Sequence, residues 1–365
     1  MNTDLPLLID TFAGLNVLVL GEAMLDSYLE GTTGRYCPEA PAPVVARSQR
    51  KNIPGGAANT AVNVQSLGGR VAFLSVTGAD TEGMTLRQTL AERGIAIDPL
   101  LTSPDRRTLA KQRVVVASQI LLRLDEGSTE PLNPSTEAAL IGRLVSLFPH
   151  CDAVIVSDYR YGLITPRVLR TLADLQARWS KVLVVDARLL SLYRHGGATA
   201  VKPNYEEALG LLGARALEGF RCRADGIAQH GERLLELSGA ALAAVTLDNE
   251  GAMVLERGRP SYRTYAHAIR QACVAGAGDT FTSTLALALA AGASAPAAAE
   301  LATAAASVVV GKERTATCSA PELREFVSAG GKYVADLQRL AAKVEFYRQQ
   351  GRRIVLTNGC FDILH

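Results

Sequence analysis

Gly276-Ala277-Gly278-Asp279 stands directly ahead of Thr280 and a long apolar stretch. Glycines let the backbone turn tightly and aim successive N–H groups into one concavity. With a helix N-terminus behind it, such a concavity suits phosphate oxygens. A carboxylate there is placed to take a proton from an attacking hydroxyl, while charge developing on a transferred group faces the amides. The same four residues also fit an ordinary helix N-cap. A second group is Pro54-Gly55-Gly56-Ala57-Ala58-Asn59. The Gly-Gly pair permits close backbone approach, and Asn59, one turn into a helix, offers an amide to hydroxyl groups. It reads equally as a strand-to-helix turn. Asp26 follows the first apolar run, Val17 to Leu20, in Gly21-Glu22-Ala23-Met24-Leu25-Asp26. A carboxylate just beyond the C-terminal edge of a parallel strand sits where ligands bind in such sheets; otherwise it is a solvated loop acid.

These groups need a scaffold. Short apolar runs at Val17 to Leu20, Val71 to Val76, Ala153 to Val156, Val182 to Val185 and Ala243 to Leu247 predict buried strands. Helical patterns lie between them at Ala57 to Leu67, Met84 to Arg93, Ser135 to Leu147, Pro166 to Arg178 and Tyr205 to Leu212. The alternation predicts an α/β fold with a parallel sheet covered on both faces. Two stretches, about 28–51 and 109–125, lack a helical period and predict strands of a small β lid over the site. Ser283 to Ala299 is uncharged and Ala-rich but broken by Gly292 and Pro296, which predicts a buried helix pair rather than a membrane span. Beyond Gly330 and Gly331, Val334 to Gln349 reads as a helix and Ile354 to Leu356 as a strand.

The chain of 365 residues is 48% hydrophobic, ample for a large core. Its formal charge is +2, so no strong field draws it to nucleic acid or membrane, and neither partner is expected. Six scattered cysteines form no C-x-x-C pair, which argues against zinc and fits a reducing cytoplasm. The N-terminus carries Asp4 and Asp10 and is unlike a signal peptide. The first strand is followed by no G-x-G-x-x-G, which weakens a dinucleotide-binding oxidoreductase.

Asp26, Gly55-Gly56-Ala57-Ala58-Asn59 and Gly276-Ala277-Gly278-Asp279 occur in the order and spacing of the ribokinase/phosphofructokinase-B family, which the chain resembles. Further motifs resemble those members in which a heptose-7-phosphate kinase half precedes a nucleotidyltransferase half. These are Met24-Leu25-Asp26, Pro38-Glu39-Ala40-Pro41, Lys111-x-Arg113, Leu122-Arg123-Leu124-Asp125, Ser157-Asp158-Tyr159, Pro203-Asn204 and Val308-Val309-Val310-Gly311-Lys312. Thr357-Asn358-Gly359-x-Phe361-Asp362-Ile363-Leu364-His365 resembles the opening of the second half. The expected layout is a ribokinase-like kinase domain over 1–329, a linker and helix over 330–351, and the truncated start of a nucleotidyltransferase domain over 352–365. That last segment is expected to be poorly anchored and to support no adenylyl transfer.

The resemblance implies an ATP- and Mg²⁺-dependent kinase. It would phosphorylate the anomeric hydroxyl of a heptose 7-phosphate in lipopolysaccharide core synthesis, and would pair as a homodimer through the lid. Asp279 would be the base, with Gly276, Ala277 and Gly278 forming the anion hole. Asp26, Gly55, Gly56, Asn59 and Asp158 would bind the sugar, Asn204 would lie near the phosphates and Mg²⁺, and Thr246 and Gly251 would border the nucleotide. The substrate's own phosphate needs cations. Lys111 and Arg113 are two apart on a strand and share a face, as do Arg123 and Asp125; Arg suits bidentate phosphate binding. A solvated, salt-bridged strand face is the plainer reading of these four.

Several positions depart from the family. Its usual Asp-x-Thr before Gly-Ala-Gly-Asp is Cys273-Val274-Ala275, so activity is expected to depend little on potassium. Asp-Pro-Lys-Gly is replaced by Asp186-Ala187-Arg188-Leu189, a Lys by Tyr161, and an Arg and a Gln of the lid by Ala117 and Ile120. The base and glycines remain. Another ribokinase-type kinase, or a weakened sugar- or nucleotide-binding homologue, stays open as an alternative.

Overall fold

A computed structural model describes residues 4–117, 119–213, 220, 222–266, 275–312 and 315–330, with 340, 341, 344, 348 and 353–355 beyond them. The strands are β1 (Asn16–Gly21), β2 (Ala23–Tyr36), β3 (Pro43–Gly56), β4 (Arg70–Leu74), β5 (Val76–Gly78), β6 (Leu101–Ser103), β7 (Leu109–Val116), β8 (Gln119–Glu126), β9 (Ala153–Asp158), β10 (Val182–Ala187), β11 (Ala200–Val201), β12 (Leu242–Thr246), β13 (Ala252–Glu256) and β14 (Tyr262–Thr264). The helices are α1 (Leu5–Asp10), α2 (Ala57–Ser66), α3 (Thr81–Ala91), α4 (Pro134–Leu147), α5 (Pro166–Trp179), α6 (Tyr205–Leu212), α7 (Arg223–Gln229), α8 (Gly231–Ser238), α9 (Ala277–Ala290), α10 (Ala295–Val310) and α11 (Ala320–Gly330).

An eight-stranded sheet has the order β14-β13-β12-β11-β10-β9-β1-β4. Its alternating side chains feed two cores. Val17, Val19, Ile155 and Val184 face a layer containing α2, α9 and α10, while Leu18, Leu20, Val154 and Val185 face α4, α5 and α8. Each such aliphatic side chain, removed from water, contributes about 1.5–3 kcal/mol. The expected parallel sheet is therefore present from β4 to β12. At one edge it is extended by β13 and β14, which are antiparallel. The reason is the connection: only a short turn over Asp248–Glu250 separates β12 from β13, and a turn that short joins antiparallel strands only.

The run Val71 to Val76 is broken rather than continuous. Ser75 stands between β4 and β5, its Oγ accepting the Ala23 N–H at 2.9 Å, and β5 pairs with β6 instead. The lid is a four-stranded sheet, β3-β2-β7-β8. Its two long strands continue straight from the core, since β2 begins two residues after β1 and β3 ends where α2 starts. The Ala-rich segment forms the antiparallel-connected pair α9 and α10, whose small side chains, including Ala288, Ala298 and Ala302, are fully buried. Among the described residues no helix is long and apolar enough to cross a membrane. Leu323 of α11 is fully buried, and Phe326 and Val327 pack on the core.

Most of 331–365 lies outside the described residues, including the Thr357 to His365 motif. Residues 340, 341, 344 and 348 are helical, in keeping with the expected helix. Ile354 and Val355 do not form the expected strand; among the described residues no strand lies beside them to pair their backbone groups.

Candidate active site

Asp279 occupies the first turn of α9, one residue past Gly278 and immediately after the turn at Gly276. It is not the cap of its helix: N-cap geometry falls at Gly276, which makes no side-chain cap bond. The Asp279 carboxylate instead accepts three side-chain hydrogen bonds from other elements. Asn59 Nδ2 donates to Oδ2 at 2.7 Å, Thr60 Oγ1 to Oδ1 at 3.3 Å, and the Tyr159 hydroxyl to Oδ1 at 3.1 Å. Burial raises its pKa above the ordinary 3.8 to about 6, helped by Asp186; the bonds from Asn59 and Tyr159 and the charge of Lys202 oppose that rise. A carboxyl poised near 6 is ionised at neutral pH yet basic enough to receive a proton.

Behind Gly278 lies Lys202. Its Nζ pairs with Asp186 Oδ2 at 3.2 Å and would stand 3.6 Å from a Cβ built on Gly278. Burial works to deprotonate Lys202, but Asp186, Glu207 and Asp279 outweigh it and hold the ammonium above its ordinary value. Thr282 Oγ1 donates to the same Asp186 oxygen at 3.0 Å, fixing that carboxylate. The α9 N-terminus and a permanent cation thus meet beside Asp279, a favourable place for negative oxygens.

Asp26 lies on β2 and reaches Gly55 of β3. A Cβ on Gly55 would sit 2.5 Å from Asp26 Oδ2, so glycine is required there if Asp26 is to keep this position. Gly56 provides the N-cap of α2, and Asn59 follows in its first turn. Asp26, Gly55, Gly56, Asn59 and Asp279 are therefore brought together by β2, β3, α2 and α9. Arg113 Nη1 donates to Asp26 Oδ1 at 2.7 Å and lies over the Tyr28 ring.

The remaining candidates divide. Lys111 and Arg113 do share a face of β7, and register puts Asp26, Lys111 and Asp125 abreast. Arg123 is exposed and grips Asp125 through two bonds of 2.9 and 3.1 Å, the salt-bridged strand face that was the plainer reading. Asp158 is buried, with its oxygens taken by the Arg160 N–H and the Tyr193 hydroxyl, both at 2.8 Å. Its carboxylate fastens the turn after β9. Asn204 caps α6 in a reciprocal capping box with Glu207 and bridges to Thr246, which places those two side by side. Gly251 has φ +96°, and a Cβ on it would meet the Thr264 carbonyl at 2.2 Å, so the approach of β14 already demands glycine. Cys273 lies outside the described residues.

Sequence reasoning missed Tyr159, Thr60, Lys202, Asp186 and Glu22. The Glu22 carboxylate accepts the Tyr159 and Tyr161 N–H groups at 2.9 and 3.1 Å, and burial, reinforced by Asp158, raises its pKa to about 7. Tyr159 stood inside a quoted motif and Lys202 directly before Pro203-Asn204, so position was legible while contact was not.

The chain has relatives among known proteins. A bifunctional protein HldE from Desulfatibacillum aliphaticivorans is 36% identical over 361 residues, covering 98% of this chain and 73% of that protein. One of the same name from Nitrobacter hamburgensis is 37% identical over 98% of this chain and 73% of its own length. In fold, the chain resembles phosphofructokinase-2 from Escherichia coli in complex with potassium, at a TM-score of 0.70 and 20% identity over 86% of this chain and 98% of the other. It also resembles Arabidopsis thaliana ribokinase complexed with ribose and ATP, at a TM-score of 0.64 and 17% identity over 88% and 99%. The model of the pfkB family carbohydrate kinases matches residues 15–323, nearly all of the described core, and the chain belongs to that family.

Proposed function

We propose that this sugar kinase transfers the γ-phosphoryl group of ATP to the anomeric hydroxyl of D-glycero-D-manno-heptose 7-phosphate, giving the 1,7-bisphosphate. The observation that carries the reading is Asp279. Its carboxylate is held by Asn59, Thr60 and Tyr159 at the amide-rich start of α9, beside the Lys202 ammonium and within the same cluster as Asp26 and Gly55. The choice of heptose rests on the motifs quoted above, and the bifunctional HldE relatives, matched along 98% of the chain, support it.

In this reading Asp26, Gly55, Gly56 and Asn59 orient the sugar. Asp279 removes the proton of the attacking hydroxyl as its oxygen bonds to phosphorus. The N–H groups of Ala277 and Gly278, with Lys202, receive the charge on the transferred group. Asn204, Thr246 and Gly251 border the nucleotide.

The residues also fit Mg²⁺. Among the described residues no three acidic, His or Cys side chains cluster into a cage. Asp186 and Glu207, the two carboxylates acting most strongly on Lys202, are a sparse acidic pair of the kind Mg²⁺ uses together with phosphate oxygens and water. They would hold the ion, which neutralises phosphate charge.

Two copies would pair through the lid. Leu122 and Leu124, on the face of β8 opposite Arg123 and Asp125, are exposed and apolar. A Leu122→Glu variant sedimenting as the wild type does would argue against that pairing.

ADP release from the purified chain, measured across a panel of sugars and sugar phosphates with ³¹P NMR of the product, tests the main reading. Heptose 7-phosphate should be the best acceptor and should gain an anomeric phosphate. Silence across the panel, or a strong preference for another sugar, sinks it.

A further inference from the structure

Three consecutive backbone N–H groups just past β9 all end on carboxylates. The Tyr159 N–H donates to Glu22 Oε2 at 2.9 Å, the Arg160 N–H to Asp158 Oδ1 at 2.8 Å, and the Tyr161 N–H to Glu22 Oε1 at 3.1 Å. Arg160, between the two tyrosines, has φ +65°, a left-handed conformation that residues with a Cβ rarely adopt. Successive N–H groups around such a residue form a concavity that takes an anion. Here the anion comes from the chain itself. Glu22 fills the one-residue gap between β1 and β2, and the parallel pairing of Gly21 with Ser157 sets it beside Asp158 at the end of β9.

Glu22 is buried, and charged or titratable groups face it from three other elements. Asp158 does so from β9, Arg106 from the segment before β7, and the Tyr193 hydroxyl from the turn after β10. Arg106 also donates to the Tyr161 carbonyl at 2.9 Å, and Tyr193 to Asp158 at 2.8 Å. Both oxygens of Glu22 are engaged, so its two acceptors are needed together. A protonated carboxyl, or a Gln amide, keeps one such acceptor and turns a donor toward the other N–H. The loop then loses one of its two anchors. What that loop carries is Tyr159, whose hydroxyl donates to Asp279 at 3.1 Å.

We infer that Glu22 is a positioning residue for phosphoryl transfer: its carboxylate, seated in the N–H concavity at 159–161, fixes the loop from which the Tyr159 hydroxyl holds Asp279. It acts through Tyr159 and not on a reacting atom, and the inference rests on the reading of Asp279 as the base. Burial, reinforced by Asp158, lifts the Glu22 carboxyl to about 7, so an anion fills the concavity above that pH and the loop loosens below it. Plain anchoring of the fold would matter alike at every pH, whereas this placement of Tyr159 depends on the charge of Glu22.

Turnover of the full chain with ATP and heptose 7-phosphate, read as ADP release across the pH range, tests this. kcat of Glu22→Gln should match the parent below about pH 6 and fall to about one-tenth of it above about pH 8, since a small misplacement at the reacting centre is enough for such a loss. Glu22→Asp, which keeps the charge, should recover part of the difference. In a Tyr159→Phe background, Glu22→Gln should cost less than about a further twofold, because the two act in series. A loss that is flat in pH, absent, or undiminished in the Tyr159→Phe background overturns the inference. The parent chain supplies a measurement that needs neither turnover nor folding of the Gln variant. With ¹³C-labelled tyrosine, the Tyr159 Cζ resonance, assigned by its loss in Tyr159→Phe, should move in two steps, at about pH 6 and about pH 7. The lower step should vanish in Asp279→Asn and the upper should remain. Absence of the upper step overturns the positioning role. An upper step in a chain that turns over no sugar would leave that role standing and sink the kinase chemistry of Asp279. Turnover without the upper step would do the reverse.

Discussion

The Tyr159 hydroxyl donates to Oδ1 of Asp279 across 3.1 Å, so a phenol just past β9 steadies a carboxylate at the start of α9. Burial and the carboxylates of Asp279 and Asp186 keep that phenol protonated well past its ordinary pKa. Tyr159→Phe removes a bond that lowers the Asp279 pKa, which therefore rises from about 6. The acid limb of the kcat/KM profile should move up by about one to two pH units, since a hydrogen bond to a charged group contributes about 1.5–3 kcal/mol. A superimposable profile for the variant would show that the bond does not tune Asp279.

Asp279→Asn should lower kcat by about 10²- to 10⁴-fold, the usual worth of a positioned general base. Its stability follows from the sign of the shift. The folded carboxyl binds its proton more tightly than the unfolded one, so its ionisation reduces stability as pH rises from about 4 through about 6. At pH 7 the ionised group is a net liability, and the Asn variant should melt no lower than the parent. Wild-type turnover in the variant would reject Asp279 as the base; a marked fall in Tm would show that its charge is structurally needed.

Gly55→Ala places a Cβ 2.5 Å from Asp26 Oδ2. Either Asp26 or the end of β3 must move. KM for the sugar should rise by about tenfold or more, with ATP affinity little altered, because a 1 Å misplacement of a binding group is enough for such losses. Unchanged sugar kinetics would remove Asp26 from the binding group.

The resemblance implies an Asp before Gly276 as a hard oxygen ligand for potassium, where Cys273 offers a soft sulfur. Turnover measured from zero to 100 mM KCl at constant ionic strength should change by less than about twofold. Cys273→Asp with Ala275→Thr should introduce activation. Strong potassium dependence of the parent chain would contradict this.

Deletion from Gly331 onward should preserve folding and kinase activity. Leu323, Phe326 and Val327 of α11 supply the last packing contacts on the core among the described residues. Deletion from Ala320, by contrast, strips a fully buried leucine and its neighbours, and should cost about 3–5 kcal/mol. Unfolding of the longer chain in a thermal melt would mean that the segment after 330 belongs to the core.

The alternation of β1, β4, β9, β10 and β12 with α2 to α6, the lid, the Ala-rich helix pair and the Gly55-Gly56 and Gly276–Asp279 turns were legible in the amino-acid sequence, because periodicity and turn chemistry act over a few residues; β11, the antiparallel edge β13 and β14, and α7, α8 and α11 were not. Partnership was not. Whether Lys111 or Arg113 remains a free cation depends on a register that hands Asp26 to Arg113 and Asp125 to Arg123. Nothing in the sequence around Asp158 marks that Tyr193, 35 residues away, holds its carboxylate. Tyr159 reaches Asp279 over 120 residues of chain, and Lys202 lies under Gly278 only because α9 packs across the end of β10. A side chain's charge and donors are set by its residue type, but which of them stay unpaired is set by what long-range packing places within hydrogen-bond reach.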